Sequence, residues 1–334
     1  MPLDSALVVG TTAWGTTLAI HLARNAMPVT LLARTAIEAA ALEADRCHTR
    51  RVPDVSFPPA LTVTAVAEAR PGAPLVVFAV PSSTLAANLD AVAPLVAANA
   101  TLLSATKGID AETGRRMSEL IADALPGRPV AALSGPNLSR ELAAGKPGGT
   151  VIASRDADLD ALRAAFHSEQ LRTYTTADIV GVELGGALKN VVAIAAGMVD
   201  ALEYGDNAKA ALITRGLAEI SRLGVAAGAD PLTFQGLAGV GDLMATSYSP
   251  LSRNRRFGEL VGGGEAREAA LAAIGETVEG VHTIPAALKL AERFAVEMPI
   301  TAGLQAILWD GLSPRAAVAT LMMREPKTEQ LAGR

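Results

Sequence analysis

Through the first half of the chain, short runs rich in Val and Leu alternate with stretches whose apolar residues recur at helical spacing. The runs are Ala6 to Val9, Val29 to Leu32, Leu75 to Val80, Thr101 to Ser104, Val130 to Leu133 and Thr150 to Ala153. Uninterrupted apolar runs of strand length suit strands buried on both faces, and their alternation with helices predicts a mostly parallel sheet covered on each side. From about Val182 the strand-like runs stop, and helical periodicity with glycines at the ends predicts an all-helical region. The expected organisation is an α/β domain over residues 1–182 and an all-α domain over 183–334, with the boundary between a Tyr174-Thr175 strand and Gly185. Gly262-Gly263-Gly264 reads as a surface loop and Glu325 to Arg334 as a polar tail.

The first run feeds a loop, Gly10-Thr11-Thr12-Ala13-Trp14-Gly15, that departs by one residue from the dinucleotide-binding pattern G-x-G-x-x-G. In that pattern the first glycine makes the turn, the second lets a pyrophosphate approach the backbone, and the third lets the helix pack on the strand. Gly10 and Gly15 supply the first and third, and Thr12 stands at the second. The fold class this predicts is α/β with a Rossmann-like N-terminal domain. The loop alone allows two readings: a nucleotide cradle in which the Thr12 hydroxyl bonds the pyrophosphate, or a structural turn that binds nothing.

Composition narrows the partners. Half of the 334 residues are apolar but only 3% are aromatic, so the cores must be built from Ala, Val, Leu and Ile. A net charge of -5 argues against a nucleic-acid partner, which calls for a basic face. A single cysteine, Cys47, excludes an internal disulfide and a multi-cysteine zinc site, and no metal is expected. The apolar stretch Val191 to Met198 is bracketed by Lys189 and Asp200, so no uncharged run reaches the about 18 residues of a membrane span. The N-terminus enters its first strand too early for a signal peptide, and a soluble, cytoplasmic protein is expected.

Ligands of open α/β sheets bind beyond the carboxyl ends of the strands. There the chain carries Val80-Pro81-Ser82, Ala105-Thr106-Lys107-Gly108 and Ser134-Gly135-Pro136-Asn137. In the helical half, Lys189 and Asn190 interrupt an apolar, Gly-rich helix. A charge there costs several kcal/mol, of order ~3–5 if left unpaired, so it marks a pair or a solvent-filled cleft. Asp242 lies in a glycine-rich apolar setting, and Ser252-Arg253-Asn254-Arg255-Arg256 offers fork and amide donors suited to a phosphate, or else a basic helix face.

These segments resemble the bacterial type of NAD(P)-dependent sn-glycerol-3-phosphate dehydrogenase. The resemblance rests on Ala105-Thr106-Lys107-Gly108, Ser134-Gly135-Pro136, Lys189-Asn190 in its Gly-Gly-Ala-Leu frame, and Gly205-Asp206-Asn207. It continues through Leu212 to Gly216, Gly241-Asp242-Leu243, Ser252 to Gly258, Val278-Glu279-Gly280 and Glu297 to Ile300, in collinear order. It implies reversible reduction of dihydroxyacetone phosphate to sn-glycerol 3-phosphate, feeding glycerophospholipid synthesis. It further implies that Lys189 is the proton donor, that Asp242 holds it, and that Lys107 contacts substrate and cofactor. Gly135, Asn137, Asn190, Thr246, Ser252, Arg253 and Asn254 match substrate positions, although many relatives carry Thr or Ser in place of Asn137. Gly10, Thr12, Ala13, Trp14, Gly15, Arg34, Ser139, Arg253 and Glu279 match the cofactor side. Because Arg34 stands where a ribose-binding acid would follow the second strand, NADPH is favoured over NADH; if Arg34 only stacks on the adenine, both serve. A homodimer through the helical domain is expected. The runners-up are a β-hydroxyacid or ketopantoate-type dehydrogenase, whose carboxylate substrate does not need the Ser252-Arg253-Asn254 cluster, and a non-catalytic nucleotide-binding protein.

Overall fold

The computed structural model describes residues 3–325; the expected polar tail lies outside them apart from Glu325. The chain divides into two compact units, Met1–Lys107 with Met117–Ile179, and Gly108–Arg116 with Val180–Arg334.

In chain order the first unit runs β1 (Ala6–Val9), α1 (Ala13–Arg24), β2 (Val29–Ala33), α2 (Ala36–Asp45), β3 (Cys47–His48), β4 (Val52–Ser56), β5 (Leu61–Ala65) and β6 (Leu75–Phe78). It continues with α3 (Leu85–Val92), β7 (Thr101–Ser104), α4 (Met117–Ala124), β8 (Val130–Ser134), α5 (Ser139–Ala143), β9 (Gly148–Ala153), α6 (Leu159–Phe166) and β10 (Leu171–Thr176). Eight strands form one sheet in the order β10-β9-β8-β7-β6-β1-β2-β5. Every neighbouring pair is parallel except β8 and β9.

The apolar runs are continuous because both faces of the sheet are covered. Ala6 and Val8 of β1 pack in one cluster with Leu18 and Leu22 of α1, while Leu7 and Val9 pack in another with Leu85 and Leu89 of α3 and Ile121 of α4. Each such Val or Leu contributes about 1.5–3 kcal/mol by leaving water. The edge strand β5 lacks a continuous run: Leu61, Val63 and Ala65 are buried while Thr62 is exposed, which gives an alternating pattern. The start of β9 was hidden by Gly148 and Gly149, which have low strand propensity. His21 of α1 is buried and bonds the Phe166 carbonyl at 2.6 Å; burial lowers its pKa, and it ties α1 to the end of α6.

The second unit is helical from Val180: α7 (Ile179–Ala201), α8 (Gly205–Ala226), α9 (Asp242–Tyr248), α10 (Arg253–Gly262), α11 (Arg267–Ile274), α12 (Glu279–Arg293), α13 (Pro299–Trp309) and α14 (Pro314–Met322). By length and composition α7 could cross a membrane, but 94% of its apolar window is buried inside the protein. Its Val191, Ile194 and Met198 pack with Phe257 and Val261 of α10, Ile284 of α12 and Leu304 of α13. Two glycines set the approach of α7 to α10. A Cβ on Gly197 would lie 1.9 Å from the Arg255 carbonyl oxygen, and one on Gly258 would lie 1.9 Å from that of Ile194. Similarly, a Cβ on Gly185 would lie 2.5 Å from the Ala238 carbonyl oxygen, in the π-helical turn Leu237–Gly241 that leads into α9. Small residues thus bring the turn before α9 against the early part of α7, and the first turns of α10 against its later part.

Candidate active site

In the first unit β1 lies between β2 and β6, where successive connections leave in opposite directions, the place at which open α/β sheets bind nucleotides. Gly10 turns the chain there with φ of +107°, and a Cβ on it would lie 2.7 Å from Val80 Cγ1. A Cβ on Gly15 would lie 2.0 Å from the Gly10 carbonyl oxygen, so both fingerprint glycines are sterically required. Thr12 is the N-cap of α1. Its Oγ1 accepts from the Gly15 N–H at 3.0 Å and donates to the Ala79 carbonyl at 2.7 Å.

A phosphate only accepts hydrogen bonds, and in this structure the single proton of the Thr12 hydroxyl is given to the Ala79 carbonyl. The main-chain N–H groups of Ala13 and Trp14 open the helix, where the backbone dipoles favour an anion. The Trp14 indole Nε1 is buried without a partner, a donor that an acceptor-rich nucleotide would satisfy. The residues present therefore fit a dinucleotide.

Around this loop stand residues that spacing along the chain does not reveal. Thr11 Oγ1 donates to Glu38 Oε1 at 2.5 Å, and His48 Nε2 lies 3.1 Å from the Thr11 carbonyl oxygen. Burial lowers the pKa of His48 most, and Arg51 and Arg50 lower it further. Arg34 lies exposed directly beyond β2, and an acid, Glu38, reaches the loop from the first turn of α2 rather than from the strand end.

Beyond β7, the Lys107 Nζ donates to the Gly135 carbonyl at 3.2 Å. Gly135 itself follows β8 with φ of +147°, and a Cβ on it would lie 2.9 Å from the Gly149 carbonyl oxygen. The Asn137 Nδ2 donates to that same carbonyl at 2.9 Å, while its Oδ1 is buried without a partner. Ser139 opens α5, and its carbonyl accepts from Thr17 Oγ1 at 3.1 Å. Lys107, Gly135 and Asn137 are thus gathered at adjacent strand ends.

In the second unit Lys189, Asp242 and Thr246 form one buried group. The Lys189 Nζ donates to Asp242 Oδ1 and, at 2.7 Å, to Thr246 Oγ1. Lys189 is 7% exposed and Asp242 1%. Asp242 is the first residue of α9 and Thr246 lies one turn on, so both face the same lysine. Removing either charge alone would strand the other, at about 3–5 kcal/mol.

Beside them Asn254 Nδ2 donates to Asn190 Oδ1 at 3.0 Å, and Asn254 Oδ1 accepts from the Gly280 N–H at 2.9 Å. Ser252 is the N-cap of α10, accepting from the Arg255 N–H at 3.2 Å. Arg253 is exposed and pairs with Glu276 at 3.1 Å. Arg255 is fixed by Asp200 at 2.8 Å and Glu259 at 2.7 Å, which makes it a structural arginine. Glu279 is the first residue of α12.

The family models described as the N-terminus and the C-terminus of NAD-dependent glycerol-3-phosphate dehydrogenase match residues 5–160 and 178–319. The chain belongs to this family. Glycerol-3-phosphate dehydrogenase [NAD(P)+] of Streptomyces coelicolor is 46% identical to it over 329 residues, spanning 97% of this chain and 98% of that protein. The Escherichia coli O1:K1 relative of the same name is 44% identical over 330 residues, spanning 98% and 97%. The solved glycerol-3-phosphate dehydrogenase of Coxiella burnetii superposes with a TM-score of 0.91 at 36% identity, covering 97% of this chain and all of that one. A 2-dehydropantoate 2-reductase from Methylococcus capsulatus shares the fold alone, at 16% identity and a TM-score of 0.58.

Within this glycerol-3-phosphate dehydrogenase family member, two contributors escape a reading by motif and a third shows there only as a glycine. Glu38 and His48 touch the fingerprint loop through side chains distant in sequence, and Gly280 acts through its main-chain N–H. Only Gly280 left a trace, as the glycine of Val278-Glu279-Gly280.

Proposed function

We propose that this chain catalyses the reversible NAD(P)H-dependent reduction of dihydroxyacetone phosphate to sn-glycerol 3-phosphate. The buried Lys189, bonded to Asp242 and Thr246, carries this reading. When bound, the nicotinamide nucleotide supplies a hydride to the carbonyl carbon. As negative charge develops on the carbonyl oxygen, the Lys189 ammonium stabilises it and delivers a proton from Nζ; in the reverse direction the amine takes the hydroxyl proton. Asp242 balances the ammonium and, with Thr246, orients Nζ. Lys107, Gly135 and Asn137 are assigned to the substrate, and Asn190, Ser252, Arg253 and Asn254 to its phosphate. The N-terminus of α10 adds aligned N–H dipoles to the phosphate subsite.

Gly10, Gly15, the main chain of Thr12, Ala13 and Trp14, and Arg34, Lys107, Ser139, Arg253 and Glu279 hold the nucleotide. NADPH is the preferred donor, a reading supported by the guanidinium of Arg34 beyond β2 and by Arg50 and Arg51 around His48. The enzyme works in the cytoplasm. It works there as a homodimer, which the large exposed apolar side chains of Met322 (79%) and Met323 (85%) support. The test is reduction of dihydroxyacetone phosphate with NADPH and NADH in parallel, with unphosphorylated dihydroxyacetone as control. Equal kcat/KM for the two ketones would overturn the phosphate assignment, and light scattering that gives a monomer mass would overturn the dimer.

A further inference from the structure

Gly280 lies buried in the first turn of α12, has no side-chain chemistry of its own to offer, and yet decides how two asparagine amides face. An amide side chain is ambivalent, since its oxygen and nitrogen occupy similar positions and either can point outward. A backbone N–H is not: it only donates. The atom of Asn254 that faces the Gly280 N–H at 2.9 Å must therefore be Oδ1, which leaves Nδ2 as the atom facing Asn190. The atom of Asn190 that meets this donor at 3.0 Å must then be its Oδ1, so its NH2 group is turned away. The chain of bonds runs one way, and both carbonyl oxygens point into it.

We propose that Gly280 is a positioning residue for substrate phosphate: through Asn254 it sets Asn190, so that the pair presents only N–H donors to its ligand. This rests on the reading that Asn190 and Asn254 serve the phosphate. A phosphate accepts and does not donate, so an outward carbonyl at either asparagine would repel it, and donor-only presentation selects an anion over a hydroxyl group. The requirement for glycine follows from the same contacts. A Cβ at 280 would lie 2.7 Å from the Asn190 carbonyl oxygen, 2.7 Å from Ile194 Cδ1 and 2.9 Å from Asn254 Oδ1. The first of these is backbone of α7, so a side chain here must push α12 away and lengthen the bond that begins the relay.

Three variants test this by steady-state kinetics with dihydroxyacetone phosphate and with unphosphorylated dihydroxyacetone. Gly280→Ala is expected to lower kcat/KM for the phosphorylated ketone about tenfold, chiefly through KM, with a much smaller loss for the unphosphorylated one. Asn190→Asp keeps an acceptor for Asn254 but replaces the outward NH2 by a carboxylate oxygen. It is expected to lower phosphorylated-ketone kcat/KM by about a hundredfold, and it serves even if Gly280→Ala does not fold. Equal losses for the two ketones in Gly280→Ala, or an Asn190→Asp enzyme that keeps wild-type KM, overturns the relay. Arg253→Ala separates the failures: if it leaves the preference for the phosphorylated ketone intact, the phosphate site is misplaced. If it abolishes that preference while the other two variants do not, only the relay is wrong.

Discussion

The two units prepare for their ligands by different means. Around Gly10 the first unit offers main-chain N–H groups at the start of α1, held in place by a steep turn and by Thr12, whose side chain faces the protein. Around Lys189 the second unit offers side chains, with an ammonium and a carboxylate buried as a pair among helices. A main-chain site tolerates a changed side chain wherever the backbone path survives, which is why a threonine replaces a fingerprint glycine. A buried charge tolerates almost nothing, because each partner exists to offset the desolvation of the other.

Lys189→Ala should break this contrast hardest, lowering kcat by about 10²- to 10⁴-fold while cofactor binding persists. A variant with near-wild-type turnover would place the proton donor elsewhere. Glu219 extends the comparison within the second unit. Its buried carboxylate accepts from the Ile300 and Thr301 N–H groups at the start of α13, yet burial outweighs these bonds and Arg222 and lifts its pKa from 4.5 to about 7. Since the folded state holds this proton more tightly, the contribution of Glu219 to stability falls as pH rises from about 4.5 to about 7 and is constant outside that window. Urea unfolding of wild type and Glu219→Gln at pH 5 and pH 8 should show the difference between them shifting by roughly 2.5 kcal/mol toward the variant. Parallel behaviour of the two would show that the carboxylate is charged throughout.

Smaller effects are expected where the backbone is the ligand. Gly10→Ala must hold a side chain at φ of +107°, a strain of about 1–3 kcal/mol, and titration of Trp14 fluorescence should show weaker nucleotide binding by about tenfold or more. Thr12→Ala should cost only about 1 kcal/mol of stability, as loss of a helix cap does, and should change nucleotide affinity far less than Gly10→Ala. A large affinity loss in Thr12→Ala, out of proportion to its melting temperature, would return the threonine to the role of ligand.

How much could be read from the chain alone follows the same division. Continuous runs such as Leu75 to Phe78 announce central strands because both faces are buried, whereas the short alternating run Leu61 to Ala65 does not stand out from its surroundings. Lys189 stood out because an apolar helix does not carry a charge without a partner. Glu38 did not, because an acid in the first turn of α2 has an ordinary explanation in the helix dipole until its contact with Thr11 is seen.

By itself the sequence determined the class of fold, the order of its elements, and the residue types that reduction of a phosphorylated ketone needs. These are local or collinear properties: periodicity, glycine at a turn, a charge among apolar neighbours. Tertiary structure alone decided that the Thr12 hydroxyl is turned to Ala79, that Asp242 and Thr246 meet Lys189 across more than fifty positions of chain, and that a glycine orients two asparagines. Each is a question of which donor faces which acceptor. Hydrogen-bond direction is fixed only when distant segments pack, and a string of residues does not contain it.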